Sequence, residues 1–504
     1  MRDRAAALLT RRNPMPASIQ ASNACQAGIL RHLLLNLGPL PVGRAFGVDQ
    51  LGPDATAAAF RAQVPVTRYA DYEALFARVA RGEADVLFPG VAAALAQTSG
   101  TTSSAAAGER FIPQSEGLLE HHLAGGSESL ARLLSASGLR LMAGKLMMLG
   151  GSTGLTPNPQ GVPFGDLSGI IADRVPIWLR PWHEPGGGIA FEANWPRKLA
   201  RITARCARQD IRLVSGIPAW MLMLFAHLEA ARGLPLHQLW PGLRGCIHGG
   251  HAIEPFITRL QSHLRPETMM VEVYPASEAF IAVGRPWRLG DAAPAALDLL
   301  TNHGVFLEFL PEGAPDDTAV GAGELAPGQV YRVLLTTPAG LLRYELGDLV
   351  RAEGPGQVRF AGRIKTRISV FGEHVEGHCL AEALAGACTD TGATVANYHV
   401  APVLPGPQDA RGRHEWWVEF AHGPTDPAAF TSAIDTRLKL AVMDYAAHRD
   451  GGQLLAPSLV DLPPGTFDRY LAAKGKLGGQ HKIPQAWPDR TIADDLALHL
   501  RTIA

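Results

Sequence analysis

Met269-Met270-Val271-Glu272-Val273-Tyr274-Pro275-Ala276-Ser277-Glu278 changes character halfway along. Residues 269–274 are largely apolar and read as a β-strand, and a proline, two small residues and a carboxylate follow at once. Apolar runs of the same kind recur at 145–149, 211–214 and 243–248 before this stretch and at 305–310 and 330–336 after it. Helical patterns occupy 115–135, 195–209, 219–232 and 253–264, around and between the runs. Strands alternating with helices predict an α/β domain with a largely parallel sheet. Ligands collect at the carboxyl ends of strands in such sheets, which makes Tyr274 to Glu278 a candidate site by position. Residues 341–369 read as several short strands joined by glycine turns.

The pattern changes near Gly377. Residues 394–403 and 414–421 read as strands and 426–443 as a helix, which predicts a small α+β domain with 372–377 as its hinge. A chain of 504 residues is too long for one ordinary core. The expected division is a large α/β domain over 1–373 and a small mobile α+β domain over 374–504. Hydrophobic residues make up 47% and charged residues 18%, the balance of a folded protein and not of a disordered one. Lys+Arg number 46 against 47 Asp+Glu, a formal net charge of −1 without the basic excess of a nucleic-acid binder. Cys25, Cys206, Cys246, Cys379 and Cys388 are scattered with no CxxC, which fits free thiols in a reducing cytoplasm. The longest apolar run, 217–226, falls far short of the roughly 20 residues a membrane span needs, so no membrane association is expected.

Several polar clusters could carry chemistry. Thr98-Ser99-Gly100-Thr101-Thr102-Ser103-Ser104 holds six hydroxyls and one glycine. Glycine lets a backbone approach an anion, and hydroxyls and N–H groups donate to phosphate oxygens. Gly108-Glu109-Arg110 adds a cation, and Phe111-Ile112-Pro113 leads into a helix with Ser115 as its N-cap. A flexible Ser/Thr linker is the other reading, and the loop is not of the GxxxxGK[ST] type. Tyr274 can lie against a base and Glu278 can hold Mg²⁺, or the segment is a strand end with a capping serine and a solvated glutamate.

Gly340-Leu341-Leu342-Arg343-Tyr344-Glu345-Leu346-Gly347-Asp348 sets an aspartate after a glycine turn. It suits a pair of ribose hydroxyls, or it is a hairpin with a turn aspartate. In Phe360-Ala361-Gly362-Arg363 the guanidinium can clamp ribose or phosphate, or it is a surface arginine at a strand end. His248-Gly249-Gly250-His251 has no third ligand nearby for zinc, and its glycines suit a backbone passing under a flat ligand or a plain turn. His121-His122 reads as a solvated helix face. Gly478-Gly479-Gln480-His481-Lys482-Ile483-Pro484 puts a lysine on a glycine-rich loop, free to neutralise developing negative charge or simply solvated.

The order of these clusters resembles one family. Ser/Thr-Gly-Thr-Thr, Tyr-x-Ala-Ser-Glu, Arg-Tyr-x-x-Gly-Asp, Gly-Arg and Gly-Gln-x-Lys-x-Pro follow one another as in the Gretchen Hagen acyl acid amido synthetases, the auxin-responsive family with bacterial relatives. Those enzymes belong to the adenylate-forming superfamily that includes firefly luciferase. The likeness runs from about residue 85 to about 490 and takes in Gly-Ile-Pro-Ala-Trp at 216–220, Leu-Trp-Pro-Gly-Leu at 239–243, His-Gly-Gly at 248–250, Phe-Leu-Glu-Phe-Leu-Pro at 306–311 and Gly-Thr-Phe at 465–467.

The resemblance implies a luciferase-like fold and a two-step reaction. A small carboxylic acid attacks the α-phosphate of Mg·ATP, giving an acyl-adenylate and pyrophosphate. The amine of an amino acid then takes the acyl group, releasing AMP and an amide. By matching position, Ser99, Gly100, Thr101 and Thr102 would hold ATP phosphates, with Arg110 just beyond them. Tyr274 would lie against adenine, with Gly249, Gly250, Ala276 and Phe360 lining the AMP site. Ser277 and Glu278 would reach the α-phosphate and metal, and Asp348 and Arg363 the ribose.

Lys482 would be the mobile cation, and the acyl pocket would draw on the helix after the phosphate loop and on Ile217, Trp220 and Met221. The small domain would rotate between steps, carrying Lys482 in or out. Ser104-Ala105-Ala106-Ala107 lengthens the phosphate loop, Phe111 stands where the family usually has lysine, and Gly372-Glu373-His374 replaces the Gly-Glu-Lys frequent in bacterial relatives. Losing a cation near a triphosphate should cost about 1–3 kcal/mol each time. A thiol acceptor such as coenzyme A, or a degenerate binder of a small acid or nucleotide, are the alternatives.

Overall fold

The Met269–Pro275 strand lies inside a 13-stranded sheet of the computed structural model. The structure describes residues 15–97, 110–138, 141, 143–150, 155–175, 180–192, 195–250, 253–292, 296–364, 368–370, 373, 375–404, 411–452, 454–474 and 482–503. On one side of Met269–Pro275, the strands Gly245–Gly249, Ile211–Gly216, Lys145–Leu149 and His183–Glu184 follow in that order, all parallel. On the other side come Phe280–Gly284, Leu297–Leu299, Gln357–Arg363, Tyr344–Gly354, Val330–Thr336, Phe306–Pro311 and Val320–Gly321. That half is antiparallel in its registers.

The sheet is therefore mixed and not largely parallel. After Pro275 the chain turns back within 276–279, where Ala276 N–H donates to the Ala279 carbonyl at 2.8 Å. A parallel return needs a crossover of about a dozen residues or more, so this short connection forces the reversal. Residues 341–369 also differ from expectation, since they hold two long strands, Tyr344–Gly354 and Gln357–Arg363. Gly347, at φ +84°, sits where the pairing with Val330–Thr336 slips, so it serves a bulge inside a strand and not a turn between strands.

The chain packs as two compact units. The first takes in 1–217, 224–250 and 265–360. Its helix Glu116–Ser137 starts at Ser115, whose hydroxyl accepts the Leu118 N–H at 3.1 Å. Leu133 and Leu134 on this helix pack against Leu146, Leu213, Ile247 and Val271 of the parallel strands. Burying such a side chain contributes about 1.5–3 kcal/mol. A second core joins Leu30, Leu33, Leu34 and Leu37 of the helix Ile19–Leu37 to Phe60, Tyr72, Phe76, Leu341, Leu342 and Tyr344. A four-stranded sheet of Phe111–Gln114, Ala94–Gln97, Pro163–Gly165 and Thr156–Pro157 completes the unit.

The second unit takes in 218–223, 251–264 and 361–504. Thr394–Val403 and Arg413–His422 pair antiparallel, and Ser458–Leu462 adds a parallel strand beside the latter. The helices Gly377–Thr391 and Pro427–Ala441 bury Leu380, Leu384, Phe430, Ile434 and Leu438 against Tyr398 and Trp416. Asp426 caps the second of these helices by accepting the N–H groups of Ala428 and Ala429. The five cysteines are free thiols. Among the described residues no helix is long and apolar enough to cross a membrane.

Candidate active site

Three residues singled out in the sequence meet in the first unit. The Tyr274 hydroxyl donates to Asp348 Oδ2 at 2.6 Å, with Tyr274 7% and Asp348 2% exposed. Phe360 sets its ring edge-on to Tyr274, centroids 5.5 Å apart. Tyr274 is at the end of its strand and Asp348 follows the Gly347 bulge. Hydrogen bonds between neutral donors and carboxylates are short and strong, so this pair fixes both side chains. Asp348 is a buried strand residue, not the turn aspartate of the alternative reading.

The same unit holds other groups expected of the site. Gly249 ends its strand opposite Val273, and a Cβ there would stand 2.3 Å from the Val273 carbonyl oxygen, so the close pass requires glycine. Gly250 is exposed with φ +79°. Ala276, Ser277 and Glu278 are half-buried, and the Ser277 carbonyl accepts Gln114 Nε2 at 3.0 Å. Arg110 places its guanidinium 4.7 Å from the centre of the Tyr69 ring. The Tyr344 phenol is pushed above its ordinary range, first by burial and then by the negative charge of Glu278, with Arg110 pulling the other way. Both charges thus act on one ring. Ile217 is half-buried. Ser99, Gly100, Thr101 and Thr102 lie outside the described residues.

Phe111, the residue standing where a lysine was expected, packs its ring 6.1 Å from Phe76 and 6.3 Å from Phe164. An aromatic cluster has taken the place of a cation. Arg343 of the Arg-Tyr motif is also structural. It is 1% exposed at φ +43°, and its guanidinium bonds the carbonyls of Arg61, Val64 and Asp316 and pairs with Glu308 at 3.3 Å.

His121 and His122 contradict the solvated-face reading, since they are 3% and 4% exposed. The helix buries Leu118, Leu119, His121, His122, Gly125, Glu128 and Ser129, so it is covered on more than one face. His121 Nδ1 donates to the His303 carbonyl at 2.7 Å and Nε2 accepts the Phe280 N–H at 2.8 Å. Burial pulls His121 down to about 4 and His122 to about 3, so both are neutral. His248 is 1% exposed, beside the Trp287 ring, and burial takes it to about 3.

In the second unit Arg363 is exposed at its strand end, Trp220 is half-buried and Met221 is fully buried. Lys482 is half-buried, while 478–481 of its loop, Gly372 and His374 lie outside the described residues. The chain just after Lys482 is anchored to the strand Thr394–Val403. Val400 N–H donates to the Gln485 carbonyl at 2.9 Å, Trp487 N–H donates to the Val400 carbonyl at 3.1 Å, and His399 Nδ1 donates to the Pro484 carbonyl at 2.7 Å. His399 is fully buried and burial pulls it to about 4. Glu373 of the expected hinge is buried, with Oε1 accepting the Val370 N–H at 2.8 Å and lying 2.8 Å from His414 Nε2. Sequence reasoning missed Gln114, His122 and His399. Helical spacing alone, which puts His122 on a face with Leu118 and Gly125, was the signal available for His122.

The fold is that of the adenylate-forming ligases. Over 98% of this chain and 94% of the other, it superposes on 2-hydroxyisobutyryl-CoA ligase in the postadenylation state in complex with 2-HIB-AMP, at TM-score 0.61 and 15% identity. The superposition on the AtGH3.15 acyl acid amido synthetase in complex with 2,4-DB is better, at TM-score 0.75 with 16% identity over 96% and 97% of the two chains. Family models place the particular lineage: the GH3 N-terminal domain matches 15–184, the central domain 299–363 and the C-terminal domain 378–491. This chain belongs to the GH3 family. The "Probable indole-3-acetic acid-amido synthetase GH3.9" of Oryza sativa subsp. japonica is 26% identical over 334 residues, 58% of this chain and 74% of the rice protein.

Proposed function

We propose that this chain is an ATP-dependent acyl acid amido synthetase, which adenylates a small carboxylic acid and passes the acyl group to the amine of an amino acid. The observation that carries the reading is the buried Tyr274–Asp348 pair beside Phe360, at the strand end that leads into Ser277 and Glu278 in a GH3 chain. Tyr274 and Phe360 form one wall for the adenine ring, with Gly249 and Gly250 passing beneath it. Asp348, held by Tyr274, takes the ribose hydroxyls together with Arg363. Mg²⁺ would come with ATP and supply positive charge to its phosphates. Glu278 would hold that ion through one carboxylate oxygen, with the substrate phosphates completing its shell.

The first step brings an anionic acid to an anionic phosphate. Ser99, Gly100, Thr101, Thr102, Arg110 and Lys482 are assigned to offset that repulsion with donors and positive charge. The carboxylate oxygen bonds to the α-phosphorus and pyrophosphate leaves. In the second step a neutral amine attacks the acyl carbon, the bond to the AMP oxygen breaks, and the amine loses its proton. Ile217, Trp220 and Met221 are assigned to the acyl side. The division into an adenylation domain over 1–373 and a mobile domain over 374–504, and a cytoplasmic setting, belong to the same proposal. Acid-dependent exchange of labelled pyrophosphate into ATP, measured over a panel of small acids, tests it. Exchange with at least one acid, and an amide product once amino acids are added, are expected. Exchange with a thioester formed from coenzyme A and no amide would replace the acceptor, and no exchange with any acid would reject the enzyme.

A further inference from the structure

The chain reversal after Pro275 carries Ser277 and Glu278, and buried side chains from one neighbouring stretch hold it at both ends. Gln114 is fully buried at the end of the strand Phe111–Gln114, and its Nε2 donates to the Ser277 carbonyl at 3.0 Å and to the Ile112 carbonyl at 3.2 Å. His122, on the helix that follows, hydrogen-bonds the Ser277 backbone. His121 accepts the Phe280 N–H on Nε2 at 2.8 Å, and its Nδ1 is fixed by the His303 carbonyl at 2.7 Å. One turn further along the helix, a Cβ on Gly125 would stand 2.5 Å from the Phe280 ring, so that ring lies hard against the helix backbone. Ser115 joins strand to helix, capping the helix and donating to the Pro338 carbonyl at 3.0 Å. The reversal does not need the polar side chains to close, since the Ala276 N–H already donates to the Ala279 carbonyl. Apolar residues would fill the helix face without the cost of burying two imidazoles. Satisfied buried polar networks rigidify what they hold, and Glu278 lies between the two pinned positions.

We infer that Gln114, His121 and His122 are positioning residues for the phosphate end of the nucleotide site. They act through Ser277 and Glu278, setting where that hydroxyl and carboxylate meet the phosphates. The inference rests on the proposed function and adds to it the groups that hold its reacting end in place. Arg110 immediately precedes the strand that ends in Gln114, so the groups assigned to the phosphates from both segments share one support. Rigid support matters there, because a misplacement of about 1 Å at a reacting centre costs on the order of 10²-fold in rate. The nucleoside end is held differently: Tyr274 and Asp348 fix each other through their own hydrogen bond. Loosening the reversal should therefore reach the phosphates and spare adenine and ribose.

Titration calorimetry with Mg·ATP, and with adenosine as the ligand that lacks phosphate, tests this without turnover. Gln114→Leu and His122→Phe should each weaken Mg·ATP by about 10-fold or more while adenosine stays within about twofold. Gln114→Asn, which keeps the amide but shortens its reach, gives the same selective loss with less disturbance of the core. His122→Gln, which retains a donor and an acceptor, should restore part of the Mg·ATP affinity. In the Glu278→Gln background Gln114→Leu should cost Mg·ATP less than it does in the wild type, because part of its route to the phosphates is gone. Equal weakening of both ligands, or a lowered urea midpoint with both affinities kept, would overturn the inference and leave the three side chains structural only. A wild-type protein that binds neither ligand would overturn it together with the proposed function. Absent pyrophosphate exchange with every acid, alongside the selective loss of Mg·ATP, would reject the proposed reaction and leave the positioning role standing.

Discussion

Replacing Tyr274 by phenylalanine removes one oxygen from a buried pair and leaves the ring in place. That hydroxyl donates to Asp348 Oδ2 at 2.6 Å, and neither residue is more than 7% exposed. Water cannot readily take over the lost bond, so the carboxylate is left under-solvated. Losing a hydrogen bond to a buried charged group costs about 2–3 kcal/mol, which corresponds to roughly 30- to 150-fold in an equilibrium constant. If Asp348 must be held in place to meet the ribose, Tyr274→Phe should raise the KM for ATP in pyrophosphate exchange by about that factor. The KM for the acid should move far less. Asp348→Asn combined with Tyr274→Phe should cost less than the sum of the two, with a coupling of about 1 kcal/mol or more in ATP affinity. A Tyr274→Phe protein that melts at lower temperature but keeps its ATP KM within a factor of about two would show that the pair is only structural, and the adenine and ribose assignments would fall with it.

His399→Leu should imitate a weak Lys482→Ala, because it removes the donor to the Pro484 carbonyl two residues beyond the lysine. Adenylation should slow by about 10-fold or more while release of amide from a supplied acyl-adenylate stays near wild type, and equal loss in both steps would contradict the positioning role. Acid should unfold the first unit steeply. His121 and His303 are pulled by burial to about 4, and His122 and His248 to about 3, against about 6.5 in the unfolded chain. Between pH 6.5 and 4 the unfolded chain therefore binds protons that the folded chain does not, and stability falls as pH falls, by up to about 1.4 kcal/mol per histidine per pH unit. Urea midpoints from pH 7 to 4.5 check this, and a flat profile would refute the burial argument.

Much of the fold was legible because apolar runs and helical periods mark elements reliably. The strands at 145–149, 211–216, 269–275 and 330–336 and the Ser115-capped helix stand where their patterns put them. Strand direction is not written in an apolar run, and it was the short connection 276–279 that reversed the chain and made the sheet mixed. The histidine pair was misread because polar residues usually mark a solvated face, whereas this helix is covered on more than one side. Tyr274 and Asp348 were each visible as motif residues, but their bond joins positions 74 apart in sequence and depends on the bulge at Gly347. The value of Phe111 also became clear only in three dimensions, where Phe76 and Phe164 surround it.

The central claim is that the carboxylate oxygen of the acid bonds to the α-phosphorus of ATP and leaves with AMP. A single turnover with an acid labelled with heavy oxygen in its carboxylate, in the presence of Mg·ATP and an amino acid, measures this directly by mass spectrometry of the nucleotide. One heavy oxygen in AMP and one retained in the amide is the predicted result. Label in inorganic phosphate with ADP as the nucleotide product, or unlabelled AMP beside a formed amide, would contradict the account.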